Sequence, residues 1–559
     1  MTPDTTPDAT TIADLLLART GDDRPGLLTR ERNWTWDQAV RESAARASLA
    51  RSLRRTDRPF HIGVLLDNTP EYVFWLGGAA LAGASVVGIN PTRRGSYLEQ
   101  EVRHTDCQLI VTDRAGLKLL EGLDLGVPRE RYLIVDEAAY TGTLAAHTAA
   151  EPARDPAVTA DTRMLLLFTS GTTGASKAAI CSQGRLAALG RANAAKYEVG
   201  ADDVCYCPMP LFHGNALMAL WAPALAAGAA VALTPKFSAS GFLPDVRHFG
   251  ATFFTYVGKA IAYVLARPER ADDGDNRLTH AFGTEASPED QAAFLRRFGC
   301  RLVEGYGSSE GAGMLRRVPD GPSTALGVPA RDGVWIVDAD TRATCPPALL
   351  DAHGRVRNPE EAIGELVDTE GAARFEGYYK NAAANAERVH HGWYWTGDLG
   401  YVDEAGYFYF AGRAGDWIRV DGENTSALLT ERVLRRHPDI VAAAVFGVPD
   451  PRSGDQVMAA VEIPEGRTFE GLKLPEFLTG QADLGTKGTP RYVRVSHALP
   501  TTGSGKLRKK EMQADGWRVD DPVLHWRGRG RPEYVPMTDA DKAALRAEFL
   551  ASGRGRFLP

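Results

Sequence analysis

Cysteine is scarce in this chain, and the scarcity excludes a disulfide scaffold. Six residues (Cys107, Cys181, Cys205, Cys207, Cys300 and Cys345) are spread over 559 positions, whereas small stapled domains crowd theirs. Cys205 and Cys207 stand one residue apart, which is neither a zinc-ligand nor a thioredoxin-type spacing. Buried, reduced thiols are expected. An excess of positive charge is also lacking: the formal net charge of −7 gives no support for nucleic-acid binding. The first stretch, MTPDTTPDATTIADLLLA, has no basic leader, so it does not read as a signal peptide. No long apolar run is free of glycine. The longest, YVFWLGGAALAGASVVGI (72–89), approaches the ~20 residues of a membrane span. Gly77, Gly78 and Gly83 interrupt it, and it stops at Asn90-Pro91. A buried helix, a turn and a buried strand are expected there instead.

What is present is a large globular composition, 44% apolar and 24% charged, able to bury a core and long enough for two or more units. A cytoplasmic enzyme is the expectation. Helical patterns such as TWDQAVRESAARASLARSLRR (35–55) alternate with β-branched runs such as HIGVLL (61–66), QLIVTD (108–113) and YLIVDE (132–137). That rhythm predicts an α/β fold with largely parallel sheets. The character changes near residue 410, where GYFYFAGRAGDWIRVDGEN carries Gly412, Gly415 and Gly422 ahead of a compact stretch with its own helix and strand signals. We therefore expect a large N-terminal domain of layered sheets and helices, 1–412, and a small α+β C-terminal domain, 413–559, joined by a short glycine-containing connector.

Four segments carry chemistry. In LLLFTSGTTGASK (165–177) an apolar run stops abruptly at Thr169, Ser170, Gly171, Thr172, Thr173, Gly174, Ser176 and Lys177. Small residues let backbone N–H groups approach an anion, hydroxyls add donors, and a lysine supplies charge, which is what a polyphosphate requires. The spacing is not that of a Walker A loop. The second segment, RLVEGYGSSEG (301–311), runs a strand into a tight turn bearing Tyr306, Ser308, Ser309 and Glu310. It contains G-x-S-x-G, so a serine hydrolase with Ser309 as nucleophile is a rival reading. That reading leaves the phosphate-type loop, Glu310 and the C-terminal stretch without a purpose. The third, GWYWTGDLGYVDEAGYFYFAGRAGDWIRVDGEN (392–424), holds Asp398 and Arg413. A carboxylate accepting from vicinal hydroxyls is the usual way to hold a ribose, although a turn cap is the plainer role for Asp398 alone. In the fourth, LPTTGSGKLRKKEM (499–512), Lys506 follows Gly503-Ser504-Gly505.

Taken together, in this order and at this separation, the four segments resemble the superfamily of adenylate-forming enzymes. That group includes acyl-CoA synthetases, peptide-synthetase adenylation domains and luciferases. TFFTYVGKAIAYVL (252–265), RAGDWIRVDGENTSA (413–427) and YVPMT (534–538) are similar to the fatty acid transport protein and very-long-chain acyl-CoA synthetase branch. The resemblance implies ATP, Mg²⁺ and coenzyme A as cofactors and a small-molecule carboxylic acid as substrate. It implies neither a nucleic-acid partner nor an integral membrane segment, and it leaves a homodimer open. Thr169 to Lys177 would cradle the β- and γ-phosphates, with Ser309 at the α-phosphate. Gly283, Thr284 and Glu285 would line the adenine, Tyr306 would stack on it, and Asp398 and Arg413 would hold the ribose. Glu310 would bind the metal. Lys506 would bridge the carboxylate and the α-phosphate, and His213 would stand at the wall of an acyl pocket that includes Val257, Gly258 and Gly307. Gly415 would be the hinge of a mobile small domain whose loop Gly422, Glu423 and Asn424 faces CoA in the second step.

Three positions depart from the family pattern: Ser176 for proline, Ala178 for glycine, and Ser309 for threonine. Ala178 weakens the expectation of a normal loop. The acyl-side stretches LFHGNALMAL and YVGKAIAYVL lack the aspartate that selects α-amino acids, so an uncharged acid is expected, either a fatty acid or a bulky polycyclic, terpenoid or aromatic one. A fatty acyl-AMP ligase that delivers to a carrier protein is the nearest alternative activity, and a purely lipid-binding transport role a weaker one.

Overall fold

The computed structural model describes residues 9–559 except 170–176, 285, 287, 319–320, 323, 352–353, 355, 414–416, 421–422, 452–454, 482–483, 485–487, 503–504, 527–532, 553, 556–557 and 559. Two parallel-rich sheets dominate. One has six strands in the order Tyr132–Ile134, Leu109–Thr112, His61–Leu65, Ser85–Gly88, Arg163–Thr169, Lys177–Ser182, and only its last pair is antiparallel. The other has seven, in the order Arg301–Glu304, His280–Thr284, Phe253–Val257, Val204–Cys207, Ala230–Leu233, Pro25–Leu28, Asn33–Thr35, and only its terminal pair is antiparallel. Faces of both sheets and the helices Trp36–Ser52, Pro70–Ala82 and Gln183–Lys196 share one core. Buried on both faces, such strands read as continuous apolar runs, and that is how they stand in the sequence.

The glycine-broken run forms the expected helix, turn and strand. Helix Pro70–Ala82 is buried along its length and ends at Gly83, whose φ of 72° is the left-handed conformation that closes helices. Its internal glycines serve packing. A Cβ on Gly77 would lie 2.3 Å from Ser43 Oγ and one on Gly78 2.7 Å from Arg46 Cβ, so helix Trp36–Ser52 approaches closer than any side chain would permit. That helix starts where Thr35 and Gln38 form a capping box. Cys205 and Cys207 lie on one strand, buried, and all six cysteines are free. Burial pushes the Cys207 thiol up to about 12, which suits core residues rather than ligands.

A third, five-stranded antiparallel sheet is built on the long strand Trp393–Val402, which pairs with Gly364–Asp368, Val389–His390 and Phe408–Arg413. Beyond it the chain gathers around separate cores. There a five-stranded sheet runs Ala442–Pro449, Asp455–Glu462, Tyr492–Ser496, Val523–Trp526, Tyr534–Pro536, with one parallel pair. Among the described residues no helix is long and apolar enough to cross a membrane.

Candidate active site

Ends of strands in the two parallel-rich sheets and in the sheet built on Trp393–Val402 carry several of the sequence-predicted residues, and contacts link some of them. Thr169 closes strand Arg163–Thr169 and pairs in register with Lys177. The Lys177 ammonium is buried, 2.8 Å from Glu387 Oε2, with its Nζ 5.4 Å from the centre of the Tyr378 ring. Glu387 is held below the usual carboxylate range, first by its hydrogen bond from Lys177. Ser170, Gly171, Thr172, Thr173, Gly174 and Ser176 lie outside the described residues. Ala178 stands in regular pairing with Phe168, so its extra methyl does not disturb the strand.

Glu310 is buried and accepts a 2.8 Å hydrogen bond from the Tyr378 hydroxyl on Oε1. Among the described residues there is no cluster of three or more metal-ligating side chains. A cation at Glu310 would complete its shell from phosphate oxygens and water, the common arrangement for Mg²⁺. The Ser309 carbonyl accepts from Arg185 Nη2 at 2.5 Å, and its hydroxyl lies 3.0 Å from where a Cβ on Gly214 would be. The chain after Ser309 enters no helix; it passes to the short strand Leu315–Arg316. A nucleophile elbow requires strand, turn and helix, so the hydrolase reading of Ser309 is set aside.

Tyr306 donates a 2.7 Å hydrogen bond to Asp398 Oδ2. Burial, then the Asp398 charge, raises the Tyr306 hydroxyl well above its ordinary range, so it stays a donor. Asp398 lies directly opposite Arg413 in the pairing of Trp393–Val402 with Phe408–Arg413. The side chains of Arg413, Glu423 and Asn424 lie outside the described set, as do Glu285, Gly415 and Gly422. Gly283 sits in strand His280–Thr284, and a Cβ there would fall 2.5 Å from the Tyr256 carbonyl oxygen. Thr284 pairs with Val257. Gly307 faces open space.

On the other side, Val257 and Gly258 are buried where strand Phe253–Val257 turns into helix Gly258–Leu265. His213 is the N-cap of a helical stretch that passes through a π-helical turn at Leu217–Trp221, a local widening common at functional sites. Burial, then the charges of Lys506 and Arg93, lowers the imidazole from 6.5 to about 4, so it is neutral near pH 7. His213 Nε2 and Asn215 Oδ1 are buried without a hydrogen-bond partner, the condition of groups that await a ligand. Lys506 is exposed, and its carbonyl accepts from Thr502 N–H at 2.7 Å. The neighbouring Gly505 would place a Cβ 3.4 Å from Val257 Cγ2. The C-terminal lysine loop thus rests beside Val257 of the large unit.

Sequence reasoning missed Glu387, Tyr378, Arg388 and Arg185. Arg388 Nη1 donates to the Trp395 carbonyl at 3.2 Å, while its Nε is buried without a partner. A run such as EGYYKN had no spacing to mark it, because its partners are remote in the chain.

The fold and this convergence define a nucleotide-dependent ligase built from a large and a small unit. The chain belongs to the AMP-binding enzyme family: residues 13–379 match the AMP-binding enzyme family and 429–506 its C-terminal domain. It is similar to the steroid-22-oyl-CoA synthetase of Rhodococcus jostii (strain RHA1), 66% identical over 99% of both chains. It is also similar to a medium/long-chain-fatty-acid–CoA ligase of Mycobacterium marinum, 44% identical over 92% of this chain and 98% of that one. The benzoate CoA ligase of Burkholderia xenovorans LB400 shares the fold, with a TM-score of 0.76 at 19% identity, covering 90% of this chain and 99% of that one. The protein is an AMP-forming acid–thiol ligase that uses ATP, Mg²⁺ and coenzyme A.

Proposed function

We propose that this ligase activates a steroid carboxylic acid with its carboxyl at carbon 22 and passes the steroid-22-oyl group to coenzyme A. The observation that carries the reading is the 66% identity to a steroid-22-oyl-CoA synthetase along nearly the whole chain. The acyl side supports it. Apart from Asn215, Gly214–Ala216 and Leu217–Trp221 are small or apolar beside a neutral His213, and the one ammonium on helix Gly258–Leu265, that of Lys259, is already paired with Glu462. A rigid, uncharged polycycle suits such a wall. A medium- or long-chain fatty acid is the second reading, favoured by the 44% identical relative. Within the superfamily we place the chain beside the very-long-chain branch, on the segments 252–265, 413–427 and 534–538. We place the domain boundary between 412 and 413. A cytoplasmic location fits six free thiols.

In the first half-reaction a carboxylate oxygen of the acid attacks the α-phosphorus of ATP, the bond to the β-phosphate oxygen breaks, and pyrophosphate leaves. Two anions must meet, so positive charge has to be aimed where negative charge builds. Lys506 would lie between the carboxylate and the α-phosphate, Lys177 and residues 169–174 would hold the departing phosphates, and Ser309 would touch the α-phosphate. Glu310 would hold Mg²⁺, which supplies charge neutralisation to the phosphates. Tyr306, Gly283, Thr284 and Glu285 would enclose the base, with Asp398 and Arg413 on the ribose. In the second half-reaction the CoA sulfur, having lost its proton, attacks the acyl carbon and AMP leaves. The small domain would turn about Gly415 for this step and bring Gly422, Glu423 and Asn424 to the CoA channel.

Lys506→Ala should abolish acyl-adenylate formation and largely spare thioester formation from a supplied acyl-adenylate. Equal losses in both half-reactions would refute the one-step role of Lys506. A screen of steroid, fatty and aromatic acids with ATP and Mg²⁺, with and without CoA, read by mass spectrometry, tests the substrate. Preference for a straight-chain acid over a steroid-22-oic acid would overturn the steroid reading.

A further inference from the structure

The small unit meets the large one through a buried carboxylate that no step above uses. Glu462 ends strand Asp455–Glu462, and its carboxylate reaches across to helix Gly258–Leu265. Lys259 Nζ lies 3.0 Å from Oε2, and the Tyr263 hydroxyl donates to Oε1 at 2.6 Å. Lys259 and Tyr263 are one helical turn apart, so they share a face, and the ammonium lies 5.2 Å from the centre of the Tyr263 ring. The Lys259 and Glu462 side chains are only 10% and 4% exposed. Elsewhere along the contact, Arg435 pairs with Asp290 at 3.0 Å, and both side chains are 23% exposed, a looser contact of the kind that contributes little.

The same carboxylate has a third partner. Leu499 N–H donates to Glu462 Oε2 at 2.8 Å, and Leu499 opens the loop that carries Lys506. From there the loop is a closed turn. Arg508 N–H donates to the Pro500 carbonyl at 2.9 Å, Thr501 bridges to Leu507, and Lys506 N–H donates to Thr502 Oγ1 at 3.1 Å. Position is therefore passed from helix Gly258–Leu265 through Glu462 to Leu499 and on to the lysine. The helix begins at Val257 and Gly258, on the acyl side, where Gly505 also rests.

We propose that Glu462, clasped by Lys259 and Tyr263, is the positioning latch that seats the Lys506 loop for adenylation and is released for thioester formation. The proposal rests on the reading of Lys506 as the adenylation lysine. Two partners come from one unit and the carboxylate from the other, so the contact contributes only while the units are in this arrangement. Once they part, all three groups are solvated and water replaces the ion pair. A buried pair is tolerated because it selects one arrangement over others, a role known for buried polar groups.

The test uses the full-length enzyme and measures the two half-reactions separately: ATP–pyrophosphate exchange with an accepted acid, and thioester formation from synthetic acyl-adenylate and CoA. Glu462→Gln and Lys259→Met should each lower the rate of adenylation tenfold or more, leave the ATP KM within about twofold, and leave thioester formation unchanged or faster. Tyr263→Phe, which keeps the ring, should lower adenylation a few-fold. Retained thioester formation shows that each variant is folded. Unchanged adenylation in both Glu462→Gln and Lys259→Met would overturn the latch, and so would equal loss of both half-reactions in all three variants. Lys506→Ala in the same assay separates the failures. If Lys506→Ala abolishes adenylation while Glu462→Gln and Lys259→Met leave it unchanged, the latch is wrong and the lysine reading stands; if Lys506→Ala does not abolish it, the reading beneath the latch is wrong.

Discussion

At the level of single residues, the site is a set of charges matched before any ligand arrives. Tyr306 holds Asp398 through a 2.7 Å hydrogen bond to Oδ2, which helps fix the carboxylate. Hydrogen bonds to a charged group are worth about 1.5–3 kcal/mol, so Asp398→Ala should weaken binding of a non-hydrolysable ATP analogue by roughly 10- to 100-fold. Calorimetric titration checks this, and an unchanged affinity would remove Asp398 from the ribose site. The buried imidazoles give a pH prediction. Burial lowers both His61 and His213 from 6.5 to about 4, so the unfolded chain binds more protons between those values. Stability should rise with pH across that window and fall on acidification, each histidine contributing roughly 3 kcal/mol over the full shift. Thermal unfolding at pH 7 and pH 5 measures it, and His61→Phe should flatten the dependence.

At the level of elements, much of the architecture was legible because the physics is local. The run 72–89 reads as helix, turn and strand from its glycines and β-branched close, and helix Pro70–Ala82 and strand Ser85–Gly88 form there. What the sequence could not tell is why Gly77 and Gly78 are there, since the answer is a helix packed against them from residues 36–52. A Gly77→Val change should force these helices apart, costing about 1–3 kcal/mol as overpacked cores do, read as a lowered midpoint in denaturant. The site divides in the same way. Glu310 and Lys506 stand in glycine-marked turns, and Thr169 and Asp398 in strands beside glycines in the sequence, so their residue types and surroundings single them out; the turn expected at Asp398 is a strand. Glu387 and Tyr378 act through partners far along the chain, and their own surroundings hold no periodic or turn signal. Glu462 is the extreme case: in VEIPEG it is one acid in a strand end, and only the fold brings Lys259 to it.

For the molecule as a whole, ligand binding and domain arrangement are two descriptions of one equilibrium. A ligand that binds only the folded enzyme stabilises it by about 2.7 kcal/mol at a hundredfold excess over its Kd. A non-hydrolysable analogue of the acyl-adenylate, which touches the nucleotide and acyl sides at once, should raise the melting temperature more than ATP analogue and free acid do separately at equal saturation. Equal effects would mean that the two sides do not share a closed arrangement. The two-unit organisation was legible as a change of character near residue 410, because aromatic alternation and a second set of strand and helix signals begin there. How the units meet was not, since that contact is made by residues such as Lys259 and Glu462 that look solvated in the sequence.

The strand that ends in Arg413 has a consequence for the order of events. Its pairing sets Arg413 across from Asp398, and Gly415 follows only two positions later in the chain. On the proposed reading, the sugar clamp and the swivel occupy one continuous piece of backbone. Whatever tightens on the nucleotide then steadies the axle about which the remainder of the enzyme turns, and AMP can stay gripped while the catalytic face is exchanged.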